Sequence, residues 1–153
     1  MVQLDKSADP SVRATHEHAG DGPILFFDGI CVLCNSTVDA ILRLDSKQIF
    51  RFAALQSPAA TRLLALYCDD LAAVDSVVLL EDGQVFTRSE AVRRIARRLA
   101  GLWPAVSLLL RLIPRSCGDL FYEWIAAGRY RLFGRRQSCR LQDDRWADRF
   151  IIA

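Results

Sequence analysis

One stretch, Pro23–Cys34, constrains the fold more than any other part of this sequence. Ile24–Phe27 is a continuous apolar run, which is typical of a strand buried on both faces. Asp28-Gly29 then predicts a turn, and Cys31 and Cys34 follow where a helix should begin. Two sulfurs three positions apart at a helix start can approach within disulfide range, and the helix N-terminus stabilises the reactive thiolate. The stretch therefore predicts a dithiol/disulfide redox site.

Length and composition favour one folded domain. The chain has 153 residues, enough to bury a core without disulfide staples, and 52% of them are apolar, which excludes disorder throughout. Acidic and basic side chains nearly balance, at a formal net charge of +2, so the composition gives no reason to expect nucleic acid as a partner.

The cysteine count and the apolar segments indicate a compartment. Five cysteines is an odd number, and the chain opens on the polar stretch Met1–Lys6, so we expect a cytoplasmic protein rather than a secreted disulfide framework. In a reducing compartment a Cys-X-X-Cys pair is more often catalytic or metal-binding than a permanent cross-link. The most apolar segment, Leu99–Ile113, is too short to span a bilayer and is interrupted by Pro104 and Arg111. The sequence predicts no transmembrane segment and leaves peripheral membrane contact open.

The helix that begins at the cysteines has one apolar face, formed by Val38, Ile41 and Leu42. Cys34 lies four residues before Val38 and should therefore face the core. Cys31 should lie at the exposed helix start.

Downstream of this helix, strand and helix signals alternate. Ile49–Ala53 predicts a strand, and Ser57-Pro58 predicts the start of a helix, with serine as N-cap and proline at the first position. Asp82-Gly83 suits a two-residue type I′ turn between the strands Val77–Glu81 and Gln84–Thr87. Strand, helix, strand, helix, hairpin, helix is the element order of a thioredoxin-like α/β fold, with a four-stranded mixed sheet flanked by helices.

The helix after the hairpin should be amphipathic. Thr87 and Glu90 predict a capping box at its start. Its inward positions are Val92, Ile95, Ala96 and Leu99, and its outward positions are Arg93, Arg94, Arg97 and Arg98. The arginine face is either a solvated helix surface or a site for an acidic partner or membrane headgroups.

Beyond Leu99 the sequence predicts a helical C-terminal extension. Pro104 begins a helix that continues through Leu112, Ile113-Pro114 breaks it, and Asp119–Ala127 forms another helix that Gly128 ends. The apolar side chains expected to join the core here are Trp103, Leu108, Leu109 and Leu112. The predicted organisation is a flexible leader (1–22), one domain that includes these helices (23–139) and a C-terminal tail (140–153) that can dock as a short helix.

Phe27-Asp28-Gly29-Ile30-Cys31-Val32-Leu33-Cys34 resembles the signature of the DCC family, thiol-disulfide oxidoreductases named for an Asp-X-X-Cys-X-X-Cys pattern. Segments further along the chain agree with the resemblance, which covers about Pro23 to Cys139. They are Phe52-Ala53-Ala54-Leu55-Gln56, Asp75–Leu80, Ser89-Glu90-Ala91, Ile113-Pro114-Arg115 and Arg129–Gly134 with Cys139. The resemblance implies a thioredoxin-like fold, a redox role, and Asp28, Cys31 and Cys34 as the site.

One departure from typical thioredoxins concerns the segment before the hairpin. Thioredoxins place a cis-proline there, facing the cysteine pair, whereas this chain has Val74-Asp75-Ser76. We therefore expect the docking of a substrate backbone to differ from that in thioredoxin.

The cysteine pair has three interpretations. In the redox interpretation, the Cys31 thiolate attacks a substrate disulfide and Cys34 resolves the mixed disulfide. Alternatively, the two are small buried residues, or they are half of a zinc site that Cys117 or Cys139 completes. Since the sequence has no second Cys-X-X-Cys and no suitably spaced histidine pair, we predict no metal.

The other candidate residues also have structural alternatives. Asp28 is either an acid/base partner for Cys34 or a turn residue before Gly29. Cys139 is either a second resolving thiol or inert, and Cys68 and Cys117 are expected to be structural. His16 and His18 lie in the polar leader, where a solvated tail is the simpler explanation.

The sequence thus predicts a thiol-disulfide oxidoreductase that acts on a disulfide-containing protein or a small thiol substrate. No dinucleotide fingerprint or phosphate loop is present, so no cofactor is expected and electrons must come from an external thiol reductant. The competing hypothesis is a non-enzymatic module that binds a protein or a membrane through its arginine face or its apolar C-terminal helices, with the cysteines structural or zinc-bound.

Overall fold

A computed structural model describes residues 22–67, 77–135 and 144–151. Its elements, in chain order, are β1 (Ile24–Phe27), α1 (Val32–Leu44), β2 (Arg51–Ala54), α2 (Pro58–Tyr67), β3 (Val78–Glu81), β4 (Gln84–Thr87), α3 (Arg88–Arg98), α4 (Trp103–Leu110), α5 (Arg115–Phe133) and a 3-10 helix (Asp144–Arg149). The leader up to residue 21, Val74–Ser76, Cys68 and Cys139 lie outside the described residues, and the domain boundaries stay predictions.

The four strands form one mixed sheet in the order β2-β1-β3-β4. β1 pairs in parallel with β2 and antiparallel with β3, so that Leu25 lies between Phe52 and Leu79. All four residues of β1 are buried, because β1 is central in the sheet and helices cover both faces. This arrangement confirms the thioredoxin-like α/β fold with a helical C-terminal addition.

Each face of the sheet carries its own core, because successive side chains of a strand point to opposite faces. On one face Leu25 and Phe27 pack with residues of α1 and α3, such as Ile41 and Ile95. On the other face Phe26 packs with residues of α2. The Ser57 Oγ accepts a hydrogen bond from the Ala60 N–H at 3.1 Å, which confirms the predicted start of α2.

The predicted hairpin is confirmed, but the capping box after it is wrong. Asp82 and Gly83 have φ angles of 51° and 73°, as a type I′ turn requires. Thr87 makes no side-chain hydrogen bond at the start of α3, and Glu90 pairs with Arg93 and Arg94 instead. A backbone N–H of the first turn, that of Ser89, instead donates to the carboxylate of Asp119 on α5 at 3.3 Å.

The C-terminal helices depart from the predicted bounds. Pro114 separates α4 from α5, as expected, but α5 begins at Arg115 and continues through Gly128. It ends at Gly134, whose φ angle is 82°. The predicted stop at Gly128 is wrong; a glycine inside a helix costs about 1 kcal/mol, and the continued helix carries Tyr130 to a hydrogen bond with Asp28.

Several side chains predicted to lie inside are exposed. Ser107 is the buried residue of α4, and its hydroxyl donates to the Arg93 carbonyl of α3 at 3.0 Å. Because α4 docks through this small polar side chain, its large apolar side chains lie outward, and the predicted core placement of Trp103, Leu108, Leu109 and Leu112 is wrong. Val92 is likewise 40% exposed, whereas Ile95, Ala96 and Leu99 are buried as predicted.

The described part of the tail packs against the sheet. Phe150 forms a parallel bridge with Phe52, and the Ile151 N–H donates to the Phe52 carbonyl at 2.8 Å. Arg149 is buried and pairs with the buried carboxylate of Asp45. Among the described residues, none of the helices combines the length and apolar character needed to cross a bilayer.

Candidate functional site

Cys31 and Cys34 are free thiols at the start of α1. Cys31 is the N-cap residue, and its sulfur accepts a hydrogen bond from the Cys34 N–H at 3.3 Å. The placement at a helix N-terminus is the predicted one. The predicted exposure of Cys31 is wrong: the residue is fully buried, and its backbone forms an antiparallel bridge with Arg135, just beyond α5.

The two thiols differ in their electrostatic surroundings. Burial, the hydrogen bond with Cys31 and the negative charge that Cys31 can carry together raise the pKa of Cys34 to about 12, and burial is the largest of these causes. The positive charge of Arg129 acts in the opposite direction. Cys34 therefore keeps its proton at neutral pH while its backbone N–H faces the sulfur of Cys31.

Asn35 holds the turn and the helix start together. Its side-chain amide donates to the carbonyls of Gly29 and Cys31, both at 2.8 Å. The residue is buried, so these bonds are not exchanged with solvent. They fix the backbone of Cys31 relative to the end of β1.

Asp28 is the centre of a buried polar cluster. Its carboxylate accepts from the Ile30 N–H at 3.1 Å, from the Gln56 amide at 2.8 Å and from the Tyr130 hydroxyl. The Arg129 guanidinium lies 3.7 Å away. Burial alone would raise the pKa of Asp28, but these hydrogen bonds and the arginine charge outweigh it and lower the pKa, so the carboxylate is ionised at neutral pH.

The bond from the Ile30 N–H is the one an Asx-type turn makes, so the turn interpretation of Asp28 is confirmed. The contacts of the carboxylate are with the backbone, Gln56, Tyr130 and Arg129. They do not test an acid/base role toward Cys34.

Sequence reasoning did not single out Gln56, Arg129 or Tyr130 as site residues. Gln56 also accepts from the Gly29 N–H at 3.0 Å, which ties β2 to the turn before the cysteines. All three residues stand in segments that carry the family resemblance, and a polar residue in each such segment is the signal that could have found them.

Tyr130 contacts two charged groups, the Asp28 carboxylate and the Arg135 guanidinium. Its pKa is raised by burial and by the hydrogen bond to Asp28, so the hydroxyl stays protonated and keeps donating. The guanidinium of Arg135 lies 3.9 Å from the centre of its ring. The end of α5 and the bridge at Cys31 are thus anchored through one aromatic side chain.

An apolar cavity of about 220 Å³ opens beside the cysteine pair. Leu33, Cys34 and Ile41 line it from α1, and residues of α3 and α5 close it. Arg129 lies at its edge. A dry cavity of about 150 Å³ accepts benzene, so this space suits an apolar group of similar or slightly larger size.

Within the described ranges, no group of three or more histidine, cysteine or acidic side chains is placed to hold a metal ion. Cys117, one of the residues considered as an additional zinc ligand, is an exposed free thiol on α5. Cys139, the other, lies outside those ranges.

A family model described as DCC1-like thiol-disulfide oxidoreductase matches residues 25–135. The chain is 36% identical over 128 residues to "Uncharacterized protein YuxK" of Bacillus subtilis (strain 168), covering 84% of this chain and 93% of that protein. It is 38% identical over 119 residues to "DCC family protein At1g52590, chloroplastic" of Arabidopsis thaliana, covering 78% of this chain and 69% of that protein. No solved structure gives a significant match.

Proposed function

This chain belongs to the DCC1-like thiol-disulfide oxidoreductase family, and from that premise we propose that Cys31 and Cys34 form a catalytic dithiol/disulfide couple. The observation that carries the proposal is the difference between the two thiols. The sulfur of Cys31 accepts a backbone N–H at a helix N-terminus, an arrangement that stabilises a thiolate, while Cys34 is held as a thiol by its raised pKa.

In the proposed reaction, the Cys31 thiolate attacks one sulfur of a substrate disulfide R–S–S–R′. The new bond is Cys31–S–S–R, and R′S⁻ leaves. Cys34 then loses its proton and attacks the sulfur of Cys31, which releases RS⁻ and closes the Cys31–Cys34 disulfide. The protons of the two thiols end on RSH and R′SH, so the substrate gains two electrons and the protein loses two.

The same geometry favours ionisation of Cys34 once the mixed disulfide has formed. Both effects of Cys31 on the pKa of Cys34, a hydrogen bond and a charge, depend on a free Cys31 sulfur. In the mixed disulfide that sulfur is neutral and covalently blocked, so the pKa of Cys34 falls when Cys34 has to ionise. Asp28, ionised at neutral pH, is the proposed acceptor for the proton of Cys34.

Access to the buried pair requires a local opening. We place it at the antiparallel bridge between Cys31 and Arg135, where the chain leaves α5 through Gly134. One backbone bridge is a small barrier compared with the packed core beneath it.

The partners follow from the reaction. The substrate is a protein disulfide or a small disulfide, and an external thiol reductant restores the dithiol. A reducing compartment such as the cytoplasm suits this direction; the name of the Arabidopsis relative gives that protein's location as chloroplastic.

The test is residue-resolved alkylation mass spectrometry on the full chain, equilibrated across glutathione redox buffers, with metal content measured on the same sample. Cys31 and Cys34 should interconvert as one two-electron couple. Cys34→Ser should trap a mixed disulfide on Cys31 with a small model disulfide, and Cys31→Ser should abolish turnover. Cys117→Ser is the matched control, because Cys117 is an exposed thiol outside the cluster.

A pair that stays reduced and inert in all buffers, or that holds stoichiometric zinc, would contradict the proposal. The role of Asp28 is tested separately with Asp28→Asn. Loss of a proton acceptor should slow resolution of the mixed disulfide. Loss of the negative charge alone would instead lower the pKa of Cys34 and leave resolution as fast or faster.

A further inference from the structure

A group of exposed large apolar side chains lies along α4, the residues just after it, and α5. We call it the α4–α5 apolar surface and define it by six side chains that are 62–78% exposed: Leu108, Leu109, Leu112, Leu120, Phe121 and Trp124. Leu120, Phe121 and Trp124 have the spacing i, i+1, i+4, which puts them on one side of α5. Leu108, Leu109 and Leu112 have the same spacing, with Leu112 two residues past the end of α4. Monomeric soluble proteins rarely expose a contiguous apolar patch this rich in leucine and aromatic residues without a binding partner.

The two helices contribute to a single surface. Ile113, at the end of the α4 segment, and Phe121 of α5 line the same cleft of about 290 Å³, whose wall on α3 includes Val92. The Phe121 and Trp124 rings stack with their centroids 6.2 Å apart. Phe121 thus connects the stacked rings of α5 with the cleft that Ile113 lines from the other side.

Basic charge adjoins this apolar surface on its α3–α4 side, whereas α5 carries Asp119 and Glu123 beside Leu120 and Trp124. Between Ala91 and Gly118 the sequence has six arginines and no carboxylate. Arg93, Arg94, Arg97 and Arg111 line a groove of about 470 Å³ between α3 and α4, together with Glu90. Leu108 of the apolar surface lies on the rim of the same groove, so the basic and apolar features adjoin.

Three of these arginines form no ion pair within the described ranges, although Arg115 is close enough to Asp119 to help lower the pKa of that carboxyl. Arg93 and Arg94 form ion pairs with Glu90, but Arg97, Arg111 and Arg115 are exposed and form no ion pair with any described residue. Arg115 lines the apolar cleft beside Ile113. Exposed arginines therefore lie on both sides of α4.

We propose that the α4–α5 apolar surface and the arginines around it bind an anionic phospholipid bilayer, with α4 lying in the interface. Leucine and aromatic side chains enter the boundary between headgroups and acyl chains, and the arginines contact the phosphate groups. No span is required, because an interfacial helix stays on the surface.

Charge favours a bilayer over a second copy of the chain. In a two-fold symmetric dimer through this face, the arginine-rich segments of both copies would come together. The carboxylates near this face are already engaged within the chain, Glu90 by Arg93 and Arg94, Asp119 by Ser89 and Glu123 by Arg88, which leaves little negative charge to offset that repulsion. An anionic lipid surface supplies the opposite charge. The cysteine pair is not part of this surface, so bilayer binding and redox chemistry do not compete for the same residues.

The test is co-sedimentation of the full chain with vesicles of phosphatidylcholine alone and of phosphatidylcholine mixed with phosphatidylglycerol. We expect binding to the mixed vesicles that salt weakens and that inorganic phosphate at matched ionic strength does not weaken further. A blue shift of tryptophan fluorescence should accompany binding, and Trp124→Phe should reduce it. Arg111→Gln and Arg115→Gln should each weaken binding about fivefold. Leu109→Ser combined with Leu112→Ser should weaken it about tenfold or more.

The matched control is Arg62→Gln, since Arg62 is an exposed arginine on α2, across the sheet from α3. It should bind mixed vesicles like the unchanged chain. Absence of binding to mixed vesicles overturns the proposal, as does binding that Arg62→Gln and Arg111→Gln weaken equally. Light scattering that shows a dimer dissociated by the double leucine variant, without vesicle binding, would assign the surface to a second copy. The arginine variants keep the test valid if the leucine variant fails to fold.

Discussion

Replacing Cys31 by serine should make Cys34 more reactive, although it abolishes turnover. In the unchanged chain the pKa of Cys34 is raised from 9.0 to about 12, first by burial and then by the hydrogen bond and charge of Cys31. A serine hydroxyl stays neutral throughout this pH range, so both effects of a Cys31 thiolate are removed. Burial remains, so the pKa of Cys34 should fall but stay above its ordinary value.

The magnitude follows from the thiolate fraction. At pH 8 a thiol with a pKa of about 12 is ionised to roughly one part in ten thousand, whereas one with a pKa of 9.0 is ionised to about one part in ten. The alkylation rate of Cys34 in Cys31→Ser should therefore rise, with about a thousandfold as the upper limit. Because burial is the largest cause, we expect a rise well below that limit.

The assay is the alkylation rate of each cysteine by iodoacetamide, followed by mass spectrometry from pH 6 to about 12, so that the range reaches the midpoint expected for the unchanged chain. Cys117 is an internal reference, because it is exposed and its rate should be the same in both proteins. A change in accessibility alone would scale the Cys34 rate equally at every pH, whereas a change in pKa moves the midpoint of the rate profile. An unchanged or higher midpoint in Cys31→Ser would refute the reasoning.

The raised pKa of Cys34 also makes the free energy of unfolding depend on pH. Between pH 9.0 and about 12 the folded chain keeps a proton on Cys34 that the unfolded chain has released. Stability linked to this group is therefore fully present below pH 9.0 and is lost as the pH rises toward 12. Denaturant titrations at increasing alkaline pH should show a smaller decline for Cys31→Ser than for the unchanged chain.

Three further predictions concern the polar cluster, the tail and the cavity. Tyr130→Phe removes a hydrogen bond to the buried carboxylate of Asp28 and should lower the unfolding free energy by about 1.5–3 kcal/mol. Because the pKa of Asp28 is lowered, denaturant titrations should show this loss in full near pH 7. The loss should shrink as the pH falls through that pKa. Arg149→Met leaves Asp45 buried without its ion-pair partner and should cost about 3–5 kcal/mol by denaturant titration, and a cost below about 1 kcal/mol would mean that the tail is not docked there. Small disulfides with alkyl substituents should react faster with the cysteine pair as the chain lengthens, by up to about fourfold per methylene, because the apolar cavity opens at Cys34; stopped-flow rates that do not depend on chain length would show that the cavity is not used.

The sequence predicts most of the fold because its signals are local. Ile24–Phe27 is apolar throughout, and a strand buried on both faces needs that pattern. The two residues Asp82 and Gly83 are enough to favour the positive φ angles of the hairpin turn. Turn, cap and periodicity signals act within a few residues, so they are present in the sequence itself. Where a distant side chain took over a local role, as Asp119 did at the start of α3, the local signal was misleading.

The sequence by itself determined the order of the elements, the position of Cys31 and Cys34 at the start of α1, and the family. Only the tertiary structure decided how these residues are surrounded. Asp28 meets Gln56 across 28 positions of the chain and Tyr130 across 102, and no local pattern encodes such contacts. The burial of Cys31 depends on where the chain leaves α5, and the exposure of α4 depends on its docking through Ser107. Burial and pKa depend on everything packed around a group, and packing brings together residues that are far apart in the sequence.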